Sequence, residues 1–379
     1  MKLTHHNIQG DTPSSHFQIP VYEFGDKNAS HKIYLQAGMH ADEHPGMLVL
    51  NHLMDTLEAA EAAGNLNAYF VILPVVNPLG LVHITHHAHR GRYHLTNGLN
   101  YNRGWPDFAK MIVADTSVCA KFGDDAASNK TLVRDWIANW LATTTPITAL
   151  EKQRHIVMRH CFDADMVLDL HCDDMALNHI YIVPQNIPRY QGLSDRLGSV
   201  ATLLAEDSGG GSFDEVWSGL WISLQEALPD HAWPDPVLSA TLEYRGQADV
   251  YDDIAKQDAI NLYDFFCDED LIVSAPSTPL IPACAPTALN ACEIVRVTSS
   301  GLIAYHVSLG DVVKTGDIIA DLISLDGTAP ARERIPIYAG TDGIVFSMLQ
   351  SKYVWPGTSI AKIAGTSALA SRGTYLLED

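Results

Sequence analysis

Short apolar runs alternate with longer amphipathic stretches up to about residue 270. The runs lie at residues 33–37, 69–76, 166–170, 179–183 and 238–244. They are largely continuous, as in strands of a sheet that is covered on both faces. Between the first two runs, apolar residues recur at helical spacing from Pro45 until Gly64, with proline just inside the start and glycine past the end. This alternation predicts an α/β fold with a mixed or largely parallel sheet.

Residues 274–286 are rich in proline and small residues, which predicts a linker. Beyond it the chain reads as short strands and glycine turns. The segment that starts at Gly301 is repeated from Gly343, and a valine lies eleven residues after each of these glycines. Two half-motifs of this kind predict a small all-β domain that resembles a barrel-sandwich with pseudo-two-fold symmetry.

The predicted domains are residues 1–275, which would be catalytic, and residues 276–379, a β domain that would cover the active site. A biotinyl- or lipoyl-type carrier would present a lysine on the hairpin between its two halves. No lysine occurs between Lys314 and Lys352. We therefore predict a structural role for the second domain.

The composition gives 379 residues, 24 Lys and Arg against 45 Asp and Glu, and a net charge of −21. Nucleic acid and anionic membranes favour a basic face, so neither is expected as a partner. The N-terminus shows no signal-peptide pattern, and no apolar run is long enough to span a bilayer. Six scattered cysteines without a CxxC pair are expected to be reduced thiols. We expect a soluble, cytoplasmic protein.

His40 and Glu43 stand three residues apart, after the first predicted strand and before the first predicted helix. An imidazole and a carboxylate at this spacing lie close enough to bind one ion, and both suit zinc. A surface ion pair is the alternative for an isolated HxxE. Here the His40–Glu43 motif lies at the carboxyl end of a predicted strand, where open α/β sheets bind ligands, and this position favours a metal site.

His171 follows another apolar strand and is the candidate third ligand. A core histidine hydrogen-bonded to the backbone is the alternative for this residue taken alone. Two histidines and one glutamate would leave one zinc position open, the pattern of a catalytic rather than a structural site. Asp169 either orients an imidazole from behind or caps the strand end.

Five motifs in order resemble the succinylglutamate desuccinylase/aspartoacylase family of zinc carboxypeptidase-like hydrolases. They are His40 with Glu43, Asn77 followed by Pro78, Arg92 with Asn102 and Arg103, Asp169 with His171, and Thr241 with Glu243. The resemblance covers roughly residues 30 to 265, and the β-rich tail also matches the family's C-terminal domain. It implies a zinc-carboxypeptidase-like, mixed-sheet, three-layer α/β domain.

The resemblance also implies a role for each site residue. His40, Glu43 and His171 would hold one Zn²⁺ per chain. Glu243 would be the general base, and Arg92 would stabilise the oxyanion of the tetrahedral intermediate. Asn102 and Arg103 would bind the substrate carboxylate. These are the candidate catalytic, metal-ligating and substrate-binding residues.

The implied activity is a zinc-dependent amidohydrolase, or deacylase, that uses zinc-activated water. The substrate would be a small N-acylated amino acid, such as an N-succinyl- or N-acetyl-amino acid. Two alternatives remain: a metallocarboxypeptidase that acts on a peptide C-terminus, and a non-catalytic binding protein on the same fold. The oligomeric state is open, a homo-oligomer included.

Concentrating Zn²⁺, Arg92 and Arg103 in one place would make the pocket positive despite the negative total charge. Arg245 either adds to this positive pocket or pairs outside it. The histidines between His83 and His94 could bind adventitious metal, but their spacing suits no closed tetrahedral site.

Overall fold

A computed structural model describes residues 1–282, 284–325, 334–373 and residue 376. The strands within them are β1 (Lys2–Gln9), β2 (His16–Phe24), β3 (Lys32–Ala37), β4 (Tyr69–Leu73), β5 (Ile84–Thr85), β6 (Ala88–His89), β7 (Met166–Asp173), β8 (Met175–Ala176), β9 (His179–Ile182), β10 (Ala201–Leu204), β11 (Leu238–Gly246), β12 (Thr287–Ala288), β13 (Cys292–Arg296), β14 (Gly301–Tyr305), β15 (Val312–Val313), β16 (Ile318–Ile323), β17 (Ile335–Tyr338), β18 (Gly343–Met348), β19 (Tyr353–Val354) and β20 (Ser359–Gly365). The α-helices are α1 (Pro45–Ala62), α2 (Pro78–Leu81), α3 (Phe108–Ala114), α4 (Thr116–Cys119), α5 (Ala126–Thr143), α6 (Ala149–Cys161), α7 (Ile187–Leu197), α8 (Phe213–Ala227) and α9 (Asp252–Asp268), with short 3-10 helices at Pro184–Asn186 and Leu289–Ala291.

The largest sheet runs in the order β1-β2-β4-β3-β7-β11-β9-β10-β12. Its centre is parallel, because β4, β3, β7 and β11 pair in the same direction, whereas β1, β2 and β9 introduce antiparallel neighbours. The predicted α/β fold with a mixed sheet is therefore confirmed. The zinc-carboxypeptidase-like arrangement of this domain stays a prediction.

Helices pack on both faces of this sheet, and alternation along the strands divides the core in two. On β7, Met166, Leu168 and Leu170 join the cluster on the side of α1, α7 and α9. Val167 joins the cluster on the side of α3, α5, α6 and α8. Since successive side chains of a strand point to opposite faces, Asp169 and His171 share the second face with Val167.

The sequence repeat has a structural counterpart in two antiparallel sheets near the C-terminus. One runs β13-β20-β18-β15 and the other β17-β16-β14-β19, and they enclose an apolar core of their own. Gly301 and Gly343 begin β14 and β18, and the two repeated valines lie in β15 and β19. The repeat therefore corresponds to equivalent strands of two packed sheets.

These C-terminal strands contact the segment that follows β7. β8 pairs with β18, and the backbone N–H of Gln350 donates to the Asp174 carboxylate at 2.8 Å. β12 instead extends the largest sheet at its edge, beside β10. The domain boundary at residue 275 stays a prediction. Across the described ranges, no helix is both long and apolar enough to cross a membrane.

Candidate active site

His40, Glu43 and His171 converge at the carboxyl ends of β3 and β7. His40 and Glu43 lie in the loop between β3 and α1, and His171 lies near the end of β7. A ligand atom from each of the three lies within 4.8 Å of the others, and all three side chains are buried. The structure therefore brings together the three residues that the sequence predicts as ligands, in a cluster that could hold a metal ion.

The donor chemistry of this cluster fits a metal. Glu43 contacts the Nδ1 atoms of His40 and His171 at 2.8 and 2.7 Å. The opposite nitrogens face other polar side chains: His40 Nε2 lies 2.8 Å from Asn100 Oδ1, and His171 Nε2 lies 2.9 Å from Asp169 Oδ2. Metal-binding imidazoles usually have such an outer partner, which fixes the ring and its tautomer. Asn100 was not predicted from the sequence.

Neighbouring loops fix the backbone around His40. Asn77 is buried, and its side-chain amide donates to the Met39 carbonyl at 2.8 Å. The Ala41 N–H donates to the Gly91 carbonyl at 3.1 Å. A Cβ on Gly91 would lie 2.5 Å from the Asp42 backbone nitrogen, so only glycine allows this approach. The segments around Asn77 and Arg92 therefore support the candidate metal loop.

Arg92 lies directly beside the ligand cluster. Its guanidinium donates to Glu43 Oε1 at 2.9 Å and lies 3.2 Å from His40 Nδ1. Burial opposes ionisation of Glu43, but the charges of His40 and His171 outweigh burial and hold the pKa of this carboxyl well below its usual range. Glu43 is therefore a carboxylate, the form required of a metal ligand.

Glu243 lies on β11 directly opposite His171 on β7. Its Oε2 atom is enclosed and has no hydrogen-bond partner within the described residues. Burial, and next the charge of Glu43, raise the pKa of Glu243 to about 8. A carboxyl group without a counter-ion beside a candidate metal site can accept and return a proton.

Asn102 and Arg103 lie on a buried turn that also lines the cavity. Asn102 Oδ1 accepts from the Phe213 N–H at 2.8 Å, and Arg103 donates to the Asn102 carbonyl at 2.8 Å. Arg154 of α6 holds this turn by donating to the carbonyl oxygens of Tyr101, Arg103 and Gly104. The sequence did not reveal this contribution of α6.

One cavity of about 400 Å³ contains all seven predicted site residues. It also contains residues that the sequence reasoning missed. Lys362, from β20, reaches the cavity and pairs with Asp173 at 2.6 Å. Other missed lining residues include a group of serine and acidic side chains: Ser208, Ser212, Asp214, Glu215, Ser218 and Ser239. The glycine-rich segment at residues 208–212, between a strand and a helix, was the available signal for several of them.

Arg245 does not line this cavity. It pairs with Asp258 and donates to Asn178 Oδ1 at 3.0 Å, which settles the alternatives in favour of pairing outside. The lining instead contains six carboxyl residues against Arg92, Arg103 and Lys362. The six are Glu43, Asp173, Asp174, Asp214, Glu215 and Glu243. The side chains alone therefore do not make the pocket positive, because the segment after β10 adds acidic residues, and the expected positive pocket with bound Zn²⁺ stays a prediction.

Comparison with known proteins supports the family predicted from the motifs. The family model for the succinylglutamate desuccinylase/aspartoacylase catalytic domain matches residues 29–206. The match, which spans slightly less than half of the chain, points to a hydrolase of the deacylase type. No curated protein sequence matches the chain.

Solved structures show the same fold over almost the entire chain. A family protein from Shewanella amazonensis is similar with a TM-score of 0.80 and 22% identity, covering 96% of this chain and 98% of its own. A family protein from Shewanella frigidimarina has a TM-score of 0.77 and 21% identity, covering 96% of this chain and 97% of its own. The product-bound ectoine utilization protein EutE of Ruegeria pomeroyi has a TM-score of 0.65 and 15% identity, covering 96% of this chain and 95% of its own. At these identities the likeness concerns the fold.

Proposed function

We propose that this protein is a zinc-dependent amidohydrolase that cleaves the amide bond of a small N-acylated amino acid. The observation that carries the proposal is the meeting of three kinds of group in one cavity. A buried His-Glu-His cluster, a carboxyl group without a counter-ion and an Arg-Asn turn all line it. These are the groups that hydrolysis of an amide with a free carboxylate requires.

His40, Glu43 and His171 would hold the ion, with Asn100 and Asp169 orienting the two imidazoles. A bound Zn²⁺ would supply Lewis acidity, polarising the scissile carbonyl and lowering the pKa of a water molecule. Two nitrogen donors and one oxygen donor suit zinc better than calcium or magnesium, which prefer oxygen alone.

Glu243 would move the proton. Its carboxylate, which lines the cavity, can accept the proton of the attacking water and then deliver it to the leaving nitrogen. The positive charge of a bound ion would favour the carboxylate form of Glu243, which a general base needs at neutral pH.

Arg92 would stabilise the oxyanion, and the Asn102–Arg103 turn would bind and orient the substrate carboxylate. Arg92 is fixed against Glu43, so its guanidinium stands close to where the oxyanion develops. Arg103 offers a planar cation to the substrate carboxylate, and its Asn102 neighbour is fixed by Phe213.

The test combines metal analysis with activity. The three proposed ligands suffice for one ion, so we expect the purified protein to contain about one zinc per chain. His171→Ala should lose the metal, whereas Glu243→Gln should retain it and lose roughly 10²- to 10⁴-fold in kcat. Full activity of the metal-free wild type would refute the proposal.

The substrate class is tested on the same preparation. N-acetyl- and N-succinyl-amino acids should be cleaved, and dipeptides should not. Preferential cleavage of dipeptides would instead support a metallocarboxypeptidase. Zinc binding without turnover of any amide would support a non-catalytic protein on this fold.

A further inference from the structure

One part of the cavity, between β11 and the start of α8, combines acidic and hydroxyl side chains. We call it the acid–serine lobe, and it consists of Ser208, Ser212, Asp214, Glu215, Ser218 and Ser239. Ser239 and Glu243 lie on the same face of β11, four residues apart, a span of roughly 13 Å in a strand. The lobe therefore extends from the candidate reaction centre along β11.

The carboxyl groups of this lobe have only neutral partners. Asp214 Oδ1 accepts from the Ser212 hydroxyl at 2.8 Å, and Glu215 Oε1 accepts from the Ser208 N–H at 2.8 Å. Neither makes an ion pair with any residue that the structure describes. Glu43 and Asp173, in contrast, contact cationic side chains in the same cavity.

Two hydroxyl groups of the lobe are left without partners. Ser208 and Ser239 are each 1% exposed, and neither Oγ has a hydrogen-bond partner within the described part of the chain. Both residues line the cavity. A buried hydroxyl without a partner is unfavourable, so a water molecule or a polar ligand that satisfies these groups would be stabilised here.

Acidic residues in a first helical turn also interact favourably with the helix dipole. That role alone does not account for the burial of Asp214 and the partial burial of Glu215, because an exposed carboxylate would serve it without desolvation. Burial, and next the charge of Asp214, raise the pKa of Glu215 to about 7. A cation in the lobe would offset this desolvation.

We propose that the acid–serine lobe binds a positively charged end of the substrate, an ammonium group. This inference rests on the proposed function and narrows its substrate class to N-acylated diamino acids. The carboxylate subsite is adjacent, because the Phe213 N–H that holds Asn102 directly precedes Asp214. A substrate with a carboxylate and a distant ammonium group would satisfy both sides, whereas an N-acylated dicarboxylic amino acid would meet like charge.

The experiment is calorimetric binding of free amino acids to the zinc-loaded full chain. Ornithine is compared with norleucine, a neutral amino acid of similar size, and with glutamate. We expect ornithine to bind roughly ten- to hundredfold more tightly than norleucine, as expected for hydrogen bonds to charged groups. Glutamate should bind more weakly than either. Equal affinity for ornithine and norleucine in the wild type would overturn the inference without any variant.

Variants test whether the two acids of the lobe produce the preference for ornithine. Glu215→Gln and Asp214→Asn should each remove most of the preference for ornithine while leaving the affinity for norleucine within about twofold. Glu226→Gln is the matched control, because it removes the same charge from the exposed far end of α8. A lower thermal midpoint with unchanged selectivity would assign the two acids to helix stabilisation and overturn the inference.

Turnover of N-acetylornithine and N-acetylnorleucine separates this inference from the proposed function. Selective binding of ornithine without cleavage of either amide would refute the function and support the lobe. Cleavage of both amides at equal kcat/KM, with no binding preference, would support the function and refute the lobe.

Discussion

The contacts of Arg154 provide a test of how the Asn102–Arg103 turn, the proposed substrate-binding turn, is held in place. Its guanidinium donates to the carbonyl oxygens of Gly104, Tyr101 and Arg103 at 2.8, 3.1 and 2.6 Å, and lies 4.8 Å from the ring centroid of Trp105. Burial lowers the pKa of Arg154 to about 10, so it remains charged at neutral pH. Replacement by methionine would keep the apolar stem and remove every donor.

Each hydrogen bond to a charged group contributes about 1.5–3 kcal/mol, but bonds that share one donor group are not additive. We therefore expect Arg154→Met to lower the free energy of unfolding by about 3 kcal/mol. Displacement of Arg103 should also weaken substrate binding, raising KM roughly tenfold or more with a smaller change in kcat. Zinc content should not change.

The assay is steady-state kinetics on the best N-acylated amino acid, together with urea unfolding and zinc analysis. Arg154→Lys should recover part of the loss in KM, because an ammonium group can reach some of the same carbonyls. Arg159→Met, on the exposed part of the same helix, is the control and should leave KM unchanged. An unaltered KM in Arg154→Met, despite lower stability, would refute a positioning role.

Three further predictions concern other parts of the molecule. Gly91→Ala should lower zinc affinity in a chelator competition, because the new Cβ would displace the loop after His40, whereas Gly123→Ala, with open space around it, should not. Lys362→Met should lower the free energy of unfolding by about 1–3 kcal/mol, because it leaves Asp173 without its partner, and adding Asp173→Asn should restore part of the loss. Burial lowers the pKa of His160 from 6.5 to about 4, so its contribution to stability is complete above pH 6.5 and is lost as the pH falls toward 4. In urea unfolding, the free energy of unfolding of the wild type should fall by about 2–3 kcal/mol more than that of His160→Gln between pH 6.5 and pH 4. An equal fall in both proteins would contradict this prediction.

The parts of the fold that local chemistry determines were predictable. The helix expected from Pro45 to near Gly64 is α1, which begins at Pro45 and ends at Ala62, because proline and glycine mark its ends. The strand predicted at residues 69–76 ends earlier, at Leu73, because Pro74 cannot donate to the ladder. The sequence repeat predicted two equivalent sets of strands in the C-terminal β region, because its glycine turns recur at fixed spacing.

The candidate ligands were predictable for a related reason. His40 and His171 follow apolar strands, and parallel strands bring their carboxyl ends to one edge of the sheet. Asn100, Arg154 and Lys362 were not predictable, because each reaches the site from a segment whose position depends on tertiary packing. Their residue types carry no local signal of that position.

The acidic cavity wall changes the meaning of the overall charge of −21. A protein with this charge repels anions at long range, and a doubly negative substrate would meet both that field and the carboxyl groups of Asp214 and Glu215. A substrate that carries one carboxylate and one ammonium group has no net charge and avoids the long-range repulsion. Inside the cavity its two ends would meet Arg103 and the adjacent acid–serine lobe. Global charge and local charge thus favour the same class of substrate, although neither alone defines it.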